Sequence, residues 1–195
     1  MKRFVVLTVG KTHSGKTTFA RALEKELNNA CVVDQDNHAA FLNTFYEKLL
    51  PKRGPNTLKH ALSQLIVDYA KAHANCHFII CNANRSKKGR AYLLEEVFSG
   101  KQFVRILVHF DLADKVLLER VRESNRSTNI FRGSYENFEE VLVRQQRESE
   151  QQDITDPTKE EADHLFVIKD SEDVDVVIKE MIRLAEGLGE SDDQT

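Results

Sequence analysis

Gly10-Lys11-Thr12-His13-Ser14-Gly15-Lys16-Thr17 is the stretch from which the rest of this chain can be read. The apolar run Phe4-Val5-Val6-Leu7-Thr8-Val9 precedes it, and Phe19-Ala20-Arg21-Ala22-Leu23-Glu24-Lys25-Glu26-Leu27 follows. The octet fits G-x-x-x-x-G-K-[ST], with a buried strand before it and an amphipathic helix after it, the context that pattern requires. Two glycines let the backbone curl without a Cβ in the way, and a ring of backbone N–H groups at a helix start cradles phosphate oxygens. Lys16 is then placed to reach the β- and γ-phosphates of a nucleotide, and the Thr17 hydroxyl to ligate Mg²⁺. The phosphate-binding set is Gly10, Lys11, Thr12, His13, Ser14, Gly15, Lys16, Thr17 and Thr18. Within it His13 occupies a variable position and reads as a spacer.

Working outward, Ala30-Cys31-Val32-Val33 reads as a second strand that ends at Asp34-Gln35-Asp36-Asn37. A helix follows through Phe41, Leu42, Phe45, Tyr46, Leu49 and Leu50, stopped by Pro51. After a turn-rich loop, Leu58, Ala61, Leu62, Leu65, Ile66, Tyr69 and Ala70 mark the apolar stripe of a long helix. His77 to Cys81, Phe103 to Phe110 and Leu165 to Ile168 read as three further strands. Helices are expected through Leu93 to Phe98, over 112–125 and 135–150, and from about 172 to 188. Short apolar strands alternating with helices specify an α/β fold: a doubly wound, five-stranded parallel sheet. Right-handed crossovers bring the strand carboxyl ends to one edge, which gathers the phosphate loop, Asp34 and Asp36, Asn82 with Arg85, and the loop after residue 110.

Asp34 and Asp36 suit a site because a carboxylate facing the γ-phosphate can take the proton of an attacking hydroxyl or support Mg²⁺. The plainer reading is a turn or helix-capping aspartate. Arg120, Arg122, Arg126 and Arg132 form a second cluster, around the polar connection at 126–133. Guanidinium groups on a mobile flap stabilise the charge spread over a transferring phosphoryl group, and Arg120 or Arg126 is expected to touch phosphate. Glu119 and Glu123 interleave with them, which is also the pattern of a solvated helix face, and Arg122 belongs there. Arg85, Lys87, Lys88 and Arg90 crowd one turn, either to hold an anionic acceptor, a nucleic-acid backbone included, or as a solvated basic loop.

The chain has 195 residues, 41% hydrophobic and 30% charged, with net charge −3, the range of one folded domain without a global nucleic-acid or membrane signature. Cys31, Cys76 and Cys81 lack ligand-like spacing and read as reduced thiols. The Met1-Lys2-Arg3 start with its apolar run is too short for a signal peptide, and no stretch has transmembrane length, so a cytoplasmic protein is expected. Residues 1–188 are read as a single domain with a helical lid over 112–150, and 189–195 as a disordered tail.

Together these residues resemble the P-loop kinases of the polynucleotide-kinase and zeta-toxin type, over roughly residues 3–170. The resemblance implies the P-loop nucleoside triphosphate hydrolase fold of the nucleoside and adenylate kinases, with ATP and Mg²⁺ as cofactors. It also implies a general base just after the second strand, where Asp36 falls and Asp34 is the alternative by a two-residue shift. Family lid arginines fall within 120–132, at Arg126 first. The stretch Phe78-Ile79-Ile80-Cys81-Asn82-Ala83-Asn84 looks like the family's apolar strand followed by Asp-x-Asn. Two departures stand out. Asn82 occupies the place of the metal-organising Asp, which shifts metal support to Asp34 or Asp36. Ala39 occupies the place of the Arg that holds an acceptor phosphate in polynucleotide kinases, which disfavours a nucleic-acid acceptor.

The catalytic expectation is therefore Lys16, Asp36 and Arg126, with Arg120 and Arg126 on the nucleotide and Thr17 and Asp34 on the metal. The expected activity is transfer of the γ-phosphate of ATP to a hydroxyl of a small-molecule or nucleotide-like acceptor, whose identity and the oligomeric state are not encoded in any motif. The competing reading is an ATP-binding regulatory protein with little transfer, favoured by Asn82. A GTPase switch is disfavoured because no Asn-Lys-x-Asp guanine-reading element is present.

Overall fold

The computed structural model describes residues 2–131 and 135–190. Five strands, β1 (Arg3–Val9), β2 (Ala30–Asp34), β3 (His77–Cys81), β4 (Phe103–Phe110) and β5 (His164–Ile168), form one sheet in the order β2-β3-β1-β4-β5. Every pairing is parallel. Strand β1 sits at the centre, and Phe4, Val5, Val6 and Leu7 are wholly excluded from solvent. Its alternation distributes side chains to two separate cores. Phe4 and Val6 join Ile79, Ile106 and Val108 on one face, where Phe19, Leu23, Leu117, Leu142 and Met181 cover them. Val5, Leu7 and Val9 join Val33, Phe78, Ile80 and Leu107 on the other, under Val67, Leu94, Val97 and Phe98. A strand buried on both faces reads as a continuous apolar run, which is why the run before the glycine loop was legible.

The helices are α1 (Lys16–Glu26), α2 (Gln35–Phe45), α3 (Thr57–His73), α4 (Lys87–Ala91), α5 (Asp114–Arg122), α6 (Phe138–Glu148) and α7 (Asp173–Glu190). Helix α2 stops at Phe45, and a 3₁₀ turn over Glu47–Leu49 takes the chain on to Pro51. Phe41, Phe45 and Tyr46 are exposed there. Helix α3 lies where its periodicity places it, but its buried positions are Ser63 and Val67, and the expected core residues Leu65 and Tyr69 are 65% and 66% exposed. The helix is turned by polar anchors: Ser63 Oγ meets His38 Nδ1 at 2.7 Å and donates to the Lys59 carbonyl. Helix α4 continues as π-helical turns over Tyr92–Val97. Arg132 and Gly133, and the tail beyond residue 190, lie outside the described residues; α7 itself runs on through Glu190, past the expected helix end at 188.

The basic turn at 85–90 is neither a free anion site nor a solvated loop throughout. Lys87 and Lys88 are exposed, whereas Arg90 has no solvent exposure. Its guanidinium donates twice to the Glu161 carboxylate, at 2.7 and 3.0 Å, and also to the carbonyls of Asn84, Arg85 and Thr155. Arg90 thus ties the segment after β3 to the segment before β5. Removing one partner of a buried ion pair strands the other, so Arg90→Ala is expected to lose roughly 3–5 kcal/mol of stability. Urea unfolding followed by circular dichroism reads this directly; a loss within experimental scatter of wild type means Arg90 is not the clamp.

Candidate functional site

At the end of β1 the chain must leave a sheet buried on both sides and enter α1. Gly10 makes the departure, against Phe110: a Cβ there would lie 3.0 Å from the Phe110 Cβ and 3.1 Å from the Ser14 Oγ. Gly15, at φ 98°, turns the loop into the helix from the left-handed region, with no side chain capping the helix start. The first-turn N–H groups of α1 therefore open into a cavity of about 640 Å³ that Gly15, Lys16, Thr17 and Thr18 line.

Lys16 lies along this loop, its Nζ donating to the Lys11 carbonyl and to Ser14 Oγ, the latter at 3.1 Å. Burial pulls its pKa down to about 8; the acidic groups around it, Asp36 and Asp34 included, oppose the shift and Arg126 adds to it. His13 also lines the cavity, and burial, then Arg126 and Lys16, pull its pKa to about 4, so its ring is neutral at neutral pH. Its Nδ1 meets Thr12 Oγ1 at 3.0 Å, and its buried Nε2 has no hydrogen-bond partner among the described residues. Lys11 turns away: its Nζ pairs with Asp114 at 2.5 Å.

The two aspartates divide the space between them. Asp34 is buried and caps α2, its Oδ1 accepting from the Asp36 N–H at 2.9 Å. The capping reading of this residue is thus realised, and Oδ2 is left facing Thr17, whose Oγ1 lies 3.4 Å away. Asp36 is more exposed and pairs with Arg126, Oδ2 to Nη2, at 2.6 Å. The Arg126 guanidinium also lies over the Phe138 ring, 5.1 Å from its centroid. Arg120 approaches from α5, reaching the His13 carbonyl at 3.5 Å and Ser171 Oγ at 3.2 Å. Arg122 pairs with Glu139 outside the cavity.

The side chains at the end of β3 divide between two neighbours. Cys81, not Asn82, faces Thr17, with Sγ 3.6 Å from Oγ1. Asn82 turns aside, donating to Gln35 Oε1 at 3.0 Å and accepting from the Ala83 N–H. Burial pushes the Cys81 thiol up to about 11, so it stays protonated. Thr17 and Asp34 are hard oxygen donors that fit Mg²⁺, which typically takes one or two carboxylates and completes its shell with phosphates and water. No three His, Cys, Asp or Glu side chains among the described residues gather as a metal site, so phosphate oxygens would be part of any such shell.

Several lining residues carried no sequence signal. Gln145, buried on α6, accepts from the Thr12 N–H at 2.7 Å and pins that helix to the phosphate loop. Lys59 and Arg144 line the same cavity from α3 and α6. The connection after α5 is tied to α2: Asn43 donates to the carbonyls of Asn129 and Phe131, and Asn129 to Thr44 Oγ1.

A family model described as AAA domain matches residues 5–152. Among solved structures, shikimate kinase from Bacteroides thetaiotaomicron is similar at TM-score 0.57 and 15% identity, covering 94% of this chain and 98% of that one. APS kinase from Mycobacterium tuberculosis, in complex with AMPPNP and APS, matches at TM-score 0.57 and 19% identity, with 95% and 98% covered. The Deinococcus radiodurans tunicamycin resistance protein matches at TM-score 0.54 and 18% identity, with 95% and 96% covered. At these identities the likeness is one of fold, that of the P-loop kinases. No curated protein matches the chain.

The lowered Lys16 pKa has a measurable sign. Near neutral pH Lys16 is charged; above about 8 the free protein holds it increasingly neutral. A polyphosphate favours the cation and raises that pKa. Binding of inorganic triphosphate is therefore expected to take up a fraction of a proton at about pH 8.5, with affinity falling as pH rises through this range. Calorimetry in buffers of different ionisation enthalpy measures the uptake, and an equal uptake by Lys16→Met would assign it elsewhere.

Proposed function

This chain belongs to the AAA domain family, and from that premise we propose that it is an ATP- and Mg²⁺-dependent phosphotransferase acting on a hydroxyl acceptor. The observation that carries the reading is the charge of the cavity at the phosphate loop. Lys16, Lys59, Arg120, Arg126 and Arg144 line it, against Asp34 and Asp36 alone. That excess suits a polyphosphate, and the aspartates supply the two functions that phosphates cannot. Three free thiols, Cys31, Cys76 and Cys81, suit a reducing compartment and a cytoplasmic enzyme.

In the reading proposed, the loop N–H groups and Lys16 hold the β- and γ-phosphates, and Arg120 and Arg126 neutralise charge on the transferring group. Thr17 and Asp34 would hold Mg²⁺, which screens the phosphate oxygens when bound. Asp36 accepts the proton of the acceptor hydroxyl as its oxygen bonds to the γ-phosphorus and the bond to the β-bridging oxygen breaks, releasing ADP. Arg126 pairs with Asp36 in the free protein, so arrival of the phosphates draws the guanidinium away and uncovers the base. The segment 112–150 acts as the lid, and its moving part is the connection after α5, because α5 and α6 are themselves anchored in the core through Leu117 and Leu142.

A regulatory nucleotide-binding protein is the second reading, favoured by Cys81, which offers Thr17 a neutral thiol where a second carboxylate would help. Turnover separates the two. Asp36→Asn is expected to keep Mg·ATP affinity and lose acceptor phosphorylation by about 10²-fold or more. Lys16→Ala is expected to lose most ATP affinity with an unchanged circular dichroism spectrum. Wild-type transfer by Asp36→Asn would remove the base assignment, and unchanged ATP binding by folded Lys16→Ala would remove the site.

Lid closure has its own test. Adding a non-hydrolysable ATP analogue is expected to raise amide hydrogen-exchange protection over 123–131 while α6 changes little. Equal protection with and without the analogue would exclude a lid.

A further inference from the structure

Beside the phosphate-lined cavity lies a second, also of about 640 Å³, and the two meet at Asn82. It opens between α3 and the π-helical turns, above the ends of β2 and β3, where Val33 and Ile80 form its floor. Two features of the chain make room for it. Helix α3 is held in through Ser63 and Val67, and the opposite wall is a stretch of wide π-helical turns, a geometry frequent at functional sites.

The two cavities differ sharply in charge. Among the described residues the second is lined by no carboxylate and one cation, Arg85. Arg85 is already engaged, with Ser149 Oγ at 2.5 Å and Glu148 at 3.8 Å. The remaining polar lining is neutral. Gln35, Gln64, Asn82 and Asn84 contribute four amides; Asn82 donates to Gln35, Gln64 to Asp68 and Asn84 to the Thr8 carbonyl, and each amide has further donor or acceptor sites beyond these bonds. His60 lines it too, and burial, with Lys59 nearby, lowers its pKa, which keeps it uncharged at neutral pH. The exposed ring of Tyr92 adds flat apolar surface.

An anionic group moved into such a space would exchange water for amides without a spare cation to offset the lost hydration. A neutral ring bearing several hydroxyls meets no such cost. Its hydroxyls pair with amides and its C–H faces lie on aromatic and aliphatic side chains. The cavity is also contiguous with the chemistry. Gln35 stands between Asp34 and Asp36 in the chain, and it takes the hydrogen bond from Asn82 at the junction of the two spaces.

We propose that the second cavity is the acceptor compartment and that it takes an uncharged polyhydroxylated ring compound, a sugar or a nucleoside, in preference to a carboxylate- or phosphate-bearing one. The inference rests on the phosphotransferase reading above, and its test keeps the two apart.

Calorimetry on the full chain, saturated with Mg²⁺ and a non-hydrolysable ATP analogue, compares paired probes. Glucose is set against glucuronate, and adenosine and uridine against their 5′-monophosphates. At least one neutral probe is expected to bind about tenfold more tightly than its acidic partner, and the arm that responds tells sugar from nucleoside. Gln64→Ala is then expected to weaken that probe about fivefold or more, with analogue affinity unchanged as the check on folding. Tighter binding of the acidic partners, no binding by any neutral probe, or an unaffected Gln64→Ala overturns the acceptor assignment and leaves nucleotide binding standing. Failure of the analogue itself to bind strikes the phosphotransferase reading instead.

Discussion

The tightest constraint on this molecule is the exit from its central strand. Strand β1 is covered on both faces and flanked by β3 and β4, so the chain leaves it only through the sheet edge. There a Cβ on Gly10 would crowd Phe110 and Ser14, at 3.0 and 3.1 Å, and its φ of 154° disfavours any side chain. The Gly10 N–H is held by the Ala83 carbonyl at 2.9 Å, and Thr8 and Asn84 fasten the neighbouring loop to the same edge. A loop whose start is fixed by its neighbours would hold its N–H groups in place before any ligand arrives. Preorganised donors of this kind act without reorganisation cost, which is the physical basis of a phosphate site.

The rest of the site is closed on itself. Lys16 donates to its own loop, Arg126 lies against Asp36, and Gln145 occupies the Thr12 N–H. These contacts stand in for the charges and acceptors that a ligand would bring. In the proposed reading, Lys16 and Arg126 each have a partner that a phosphate oxygen would replace, because a guanidinium or ammonium paired with a dianionic phosphate makes shorter, stronger hydrogen bonds. Binding and rearrangement would then be the same event. Asn43 and Asn129 connect the arginine-bearing segment to α2, the helix that begins with the aspartates, so a movement of one is felt by the other.

What the sequence disclosed follows from how local each signal is. Strands β1 to β5 and the glycine loop are written in runs of adjacent residues, and all five strands lie where the alternation placed them. The pair Asp34 and Asp36 was legible as a pair because a strand end and a helix start meet there. The orientation of α3 was not. Its apolar stripe is stronger than its buried face, and a serine bonded to His38 outranks Leu65 and Tyr69 in deciding which side turns inward. Arg90 was read as one of four surface cations because its partner Glu161 is distant in sequence. Gln145, Lys59 and Arg144 reach the cavity by tertiary packing alone, which no spacing records. That Cys81, not Asn82, faces Thr17 was not legible either, since the pleat decides it.

Cys81 bears on how, in the proposed reading, one carboxylate would serve a metal. Asp34 and Cys81 are register partners on adjacent parallel strands, and both approach Thr17. Two carboxylates so placed would face each other across little more than the strand spacing, and like charges in a buried site push one of the pair toward its neutral form. With a protonated thiol opposite, no such repulsion arises. One Asp34 oxygen is spent on the cap of α2 and the other is left for Thr17 and whatever cation the phosphates bring. The thiol is too weak a donor to compete for that oxygen and, uncharged, too poor a ligand to capture a hard cation. A thiol rather than a second acid beside Asp34 therefore keeps the buried electrostatics simple, and in the proposed reading the nucleotide's own oxygens would carry the rest of the metal's shell.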